Sequence, residues 1–76
     1  MKGEIKKETD NGFGVSVYDN NNIEHKIGVL YDGEIHGHLQ DGYADDPAKR
    51  THNDNERVEQ ARRFARYYVF QERGYD

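Results

Sequence analysis

The sequence predicts an α+β domain: a four-stranded antiparallel meander packed on one face by a single long C-terminal helix (ββββα). Three observations carry that expectation. Thr51 to Gly74 is the one segment whose apolar residues recur at steps of three and four over a helix-sized length. Residues 1–39 break instead into short runs separated by Asp10-Asn11-Gly12, Asn20-Asn21-Asn22 and Asp32-Gly33, residues that close hairpins. No repeat or composition shift divides the 76 residues, which makes 1–76 a single small domain.

The first strand, residues 2–9, has Ile5 alone among Lys6, Lys7, Glu4 and Glu8. A run that charged belongs at a sheet edge, where lysines also oppose pairing with other chains. Residues 13–18 alternate, with Phe13, Val15 and Val17 on one side; residues 23–31 do the same with Ile23, Ile27, Val29 and Tyr31. The fourth strand, residues 34–39, offers Ile35 and Leu39.

Register decides which of these share a face. A two-residue loop at Asp32-Gly33 would set Leu30 opposite Ile35 and scatter the apolar groups. Three-residue loops, with Gly33 left-handed, pair Val29 with Ile35, Ile27 with Gly37 and Lys26 with His38. The same loop length pairs Val15 with Ile27, Phe13 with Val29 and Ile5 with Val17, and gathers one apolar face from all four strands. The other face then holds Gly14, Ser16, Tyr18, Gly28, Leu30, His36 and His38, with Gly14 beside Gly28. Residues 40–50 form a loop in which Asp46-Pro47 can start a short helical turn.

The helix is expected over residues 52–73. Thr51 is its N-cap, Asp54 sits in the positive first turn, Arg73 in the negative last turn, and Gly74 is placed for a left-handed C-cap. Val58, Ala61, Ala65, Tyr68 and Val69 share one stripe, flanked by Phe64. Tyr67 and Phe70 lie well round the helix at about 100° per residue. Apolar groups over that much circumference predict a second contact surface.

Composition narrows the function. Hydrophobic residues make up only 33%, and no cysteine is present to staple the fold or bind zinc as thiolate. So small a core predicts self-association. No apolar run reaches even ten residues, so neither a membrane span nor a signal peptide is expected, and the setting is read as cytoplasmic. The net charge of −4 divides into an acidic body and a mildly basic helix. That distribution argues against a general nucleic-acid binder.

No serine elbow, phosphate-binding glycine loop or dinucleotide fingerprint appears, so catalysis is not expected and no cofactor is implied. The leading reading is a small homodimeric interaction or regulatory module with an unidentified protein partner. Its contact candidates are Gly14, Gly28 and Leu30 on the sheet with Phe64, Tyr67 and Phe70 on the helix. A second reading is a nucleic-acid module using Arg62, Arg66 and Arg73, although a solvated face tied by pairs such as Glu59 with Arg62 explains the same stripe. A third is a metal-dependent accessory protein using His36 and His38, whose i, i+2 spacing on a strand points both imidazoles to one face. His25 falls on the opposite face in this register. The acids Asp41, Asp45 and Asp46 lack the alternating spacing of a calcium loop.

Overall fold

The computed structural model describes residues 1–74. Four strands, β1 (Lys2–Glu8), β2 (Gly12–Tyr18), β3 (Glu24–Leu30) and β4 (Ile35–Gln40), precede a 3₁₀ turn at Pro47–Lys49 and a helix, α1 (His52–Arg73). The strands form one antiparallel sheet in the order β1-β2-β3-β4, and α1 lies across one face of it.

The helix ends follow from the residues placed there. Thr51, extended at φ −67° and ψ 164°, accepts the Asp54 amide on its hydroxyl, and Gly74 closes the other end at φ 76° by donating its amide to the Phe70 carbonyl. Val58, Ala61, Ala65 and Val69 form the buried stripe. Ala61 and Ala65 are fully buried and small, which lets the helix backbone approach the sheet closely. Beneath them lie Phe13, Val15, Val17, Ile27 and Val29, with Ile5 and Ile35 at the margins. Each fully buried valine or isoleucine contributes about 1.5–3 kcal/mol.

The two loops flanking β3 have the expected form. Across the asparagine turn, Phe13 pairs with Val29, Gly14 with Gly28 and Val15 with Ile27. Asn22 takes the left-handed position at φ 65°. Beyond Leu30, Gly33 does so at φ 91°, and Val29 pairs with Ile35.

Two irregularities depart from the expected register. In the first hairpin Glu8 pairs with Phe13, and a bulge between Ile5 and Lys7 sets Ile5 opposite Val15 rather than Val17. The displacement totals two residues, so Ile5 still points to the core. In the last hairpin a bulge between Ile27 and Val29 places Ile27 opposite His38, where Gly37 was expected. Gly37 stands at φ 116°, a conformation glycine accepts without penalty. This shift is a single residue, so it exchanges faces. His38 turns inward beside Ile27, whereas Leu39 turns outward and is 72% exposed.

Candidate functional site

The inward turn of His38 completes a row of polar groups beneath the helix. Arg62 on α1 donates its Nε–H to His38 Nδ1 at 2.9 Å. His38 Nε2 lies 2.8 Å from His25 Nδ1, and His25 Nε2 lies 2.9 Å from Asp19 Oδ2. The Tyr43 hydroxyl donates to the same carboxylate oxygen at 2.6 Å. Asp19 Oδ1 accepts the Asn21 and Ile23 amides at 2.9 and 3.1 Å. The His25 and Asp19 side chains are completely buried, and no buried side-chain polar atom among the described residues lacks a partner.

The direction of each proton in this relay can be deduced. A guanidinium has donors only, so His38 Nδ1 must accept. The single proton of neutral His38 therefore sits on Nε2 and is donated to His25 Nδ1. His25 in turn carries its proton on Nε2 and donates it to Asp19. The row thus runs from a cation at the surface to an anion in the interior.

Electrostatics follow the same geometry. Burial alone would push the Asp19 carboxyl up, but the hydrogen bonds from His25, Tyr43 and the Ile23 and Asn21 amides outweigh it and hold it below its ordinary value. His38 is pushed down to about 4, first by burial and then by His25, Arg62 and Arg50 around it. Burial, with the Asp19 carboxylate alongside, pushes the Tyr43 phenol up. The relay thus ties three elements, the asparagine turn, the loop carrying Tyr43 and α1, to the floor of the sheet.

The face of the sheet turned away from α1 is uncovered. Gly14 and Gly28 pair at its centre, and Leu30 and Leu39 lie beside them. Two adjoining hollows of about 680 and 670 Å³ run along it and share Lys7, Gly14, Gly28 and His36. Asp10 and Asp32 line the one toward the turns; Lys6, Glu24 and Lys26 line the other. Ser16, buried in this second hollow, donates its hydroxyl to Glu24 at 2.6 Å and holds that carboxyl below its ordinary value.

The other expected contact residues are redistributed. Gly14, Gly28 and Leu30 do share the uncovered face. Phe64 does not reach outward: it stacks on Tyr68 at 5.8 Å, and both rings lie over Gly3, where an added Cβ would come within 2.8 Å of Phe64. Phe70 packs on the core beside Gly33. Of the helix aromatics, Tyr67 alone is broadly exposed, at 61%.

The arginine stripe is also divided. Arg62 binds His38, Arg66 lies near the Gly33 turn, and Arg73 sits over the Phe13 ring with Glu8 at 3.7 Å. His36 and His38, expected as a ligand pair, are separated by the Gly37 bulge: His36 lines the uncovered face and His38 is in the relay. Among the described residues no group of three or more His, Cys, Asp or Glu side chains is placed to hold a metal.

Sequence reasoning passed over His25, Asp19 and Tyr43. One signal was present: His25 alternates with Ile23 and Ile27 and so occupies a core position, where an imidazole needs partners on both nitrogens.

Architecture and site together define a small ββββα domain with a polar relay through its covered side and a glycine-centred face left open. The chain belongs to the family of unknown function DUF7958, which matches residues 1–76. No curated protein matches it, and no solved structure does. No helix among the described residues is long and apolar enough to cross a membrane.

Proposed function

We propose that this protein is a small homodimeric interaction module that acts by binding rather than catalysis, and that the uncovered sheet face is its contact surface. The observation that carries this reading is the bare centre of that face. Gly14 opposite Gly28 leaves a strip of backbone without Cβ atoms, flanked by the exposed Leu39 and the half-buried Leu30. A second sheet can approach such a strip closely, with leucines filling the flanking hollows.

Charge supports a second copy as the occupant. Lys6 and Lys26, with Glu24, line one hollow, Asp10 and Asp32 line the other, and Lys7 borders both. A two-fold rotation about the glycine strip brings the lysines of one copy over the aspartates of its mate, the self-complementarity that a symmetric dimer requires. The small core gives such pairing an energetic motive.

Solution mass tests the proposal. Light scattering of the wild type should return twice the 8.9 kDa chain mass, and Leu39→Glu should return the monomer. Because Leu39 is exposed, that substitution leaves the fold intact. A wild type that stays monomeric at every concentration would remove the reading.

A further inference from the structure

We propose that the cleft between the end of β4, the loop after it and the first half of α1 binds a small oxyanion, a carboxylate or phosphate group, through Arg62 and Arg50. The cleft encloses about 430 Å³, a volume suited to a small ligand, and His38, Arg50 and Arg62 all line it. It lies at the helix side of the sheet, and Leu39 at the end of β4 borders both this cleft and the proposed dimer face.

The argument rests on what holds the two arginines. A surface arginine is commonly fixed by a carboxylate, which neutralises it as it positions it. Here every hydrogen-bond acceptor is uncharged. Arg62 Nε is bound to neutral His38, which the relay to Asp19 keeps in the accepting tautomer. Arg50 donates to the Ala44 carbonyl at 2.5 Å, the Asp45 carbonyl at 3.2 Å and the Asn55 side-chain oxygen at 3.5 Å. Both guanidinium groups are thereby oriented without loss of charge. Engagement of Arg62 through Nε leaves its two terminal nitrogens, the fork that matches the paired oxygens of a carboxylate or phosphate.

Two carboxylates also line the cleft, Asp45 and Glu59. Glu59 Oε1 stands 3.9 Å from Arg62 Nη1, and both side chains are substantially exposed, so that pair is worth little and yields readily to a bound anion. Asp45 meets Arg50 through its main-chain carbonyl.

The test is an NMR titration of the whole protein, following the arginine Nε–H resonances. Inorganic phosphate and sodium acetate are added separately at ionic strength held constant with sodium chloride. Saturable shifts at Arg62 and Arg50 are expected with at least one anion, and the one that saturates at lower concentration identifies the ligand class. Arg62→Lys keeps the charge but loses the fork, and should weaken binding at least ~10-fold. Arg63→Lys, at an exposed position outside the cleft, should leave binding unchanged. Linear, unsaturating shifts with both anions would overturn the proposal, as would equal weakening by the two lysine variants.

Discussion

Asp19 shows how much one side chain can be asked to hold. Its carboxylate accepts four hydrogen bonds, from His25, Tyr43 and two main-chain amides, and donates none. Asp19→Asn is therefore not conservative, because an amide NH₂ must face a donor whichever way it is turned. Replacement should cost about 1–3 kcal/mol, the loss expected when a buried donor is left without its acceptor. Urea midpoints should place Asp19→Asn close to Asp19→Ala and far below the wild type.

A pH dependence belongs to the same residues. His38 binds its proton less readily in the folded protein than in the unfolded chain, where the ordinary value is 6.5. Between about pH 6.5 and about pH 4 the unfolded state holds more protons, so stability falls as pH falls. The loss is on the order of 2–3 kcal/mol after allowance for partial exposure, at 1.36 kcal/mol per unit. Protonation of Nδ1 would also set two donors against each other at Arg62. Asp19, whose carboxyl is held low, adds a further loss of the same sign in stronger acid. Denaturation at pH 7, 5.5 and 4 should show a steady decline, which His38→Gln should flatten in its upper part.

Among the elements, β4 is the decisive one. A strand paired without interruption would carry His36 and His38 outward together; one extra residue at Gly37 sends His38 to Arg62 and Leu39 to the opposite surface. No atom lies within 4 Å of a Cβ built on Gly37, so the obstacle to substitution there is φ 116° and not crowding. Gly37→Ala should cost about 1–3 kcal/mol from backbone strain alone. A substitution that released the bulge would also abolish the Arg62–His38 hydrogen bond, visible as a shift of the Arg62 Nε–H resonance. By contrast, the bulge in β1 carries no such consequence. It completes an even displacement, and Ile5 keeps its face.

The whole molecule divides its two sides between different tasks. One side joins α1 to the sheet through an apolar stripe and, at the end nearer β4, through the relay. The other side presents glycines, leucines and sorted charges, the surface proposed for a second copy. If that copy binds, folding and association are linked, and the apparent melting temperature should rise with protein concentration. Leu39→Glu should remove that concentration dependence while leaving the Arg62 hydrogen bond in place, because that bond goes to the inward-turned His38 and not to the exposed Leu39.

What the sequence determined by itself is whatever depends on local chemistry and periodicity. The cap at Thr51, the left-handed ends at Gly33 and Gly74, the Val58–Val69 stripe and the pairing of Phe13 with Val29 all belong there, since each rests on a few neighbouring residues or on simple alternation. Those features were enough to place Gly14, Gly28 and Leu30 on one face. Only the tertiary structure decided the slip at Gly37. A single-residue bulge differs from regular pairing by little local energy, and the balance is set by groups distant in sequence: His25 Nδ1 and Arg62 Nε find their partner only when His38 points inward. Sequence spacing therefore joined His36 to His38, whereas the buried hydrogen bonds of the folded protein join His38 to His25.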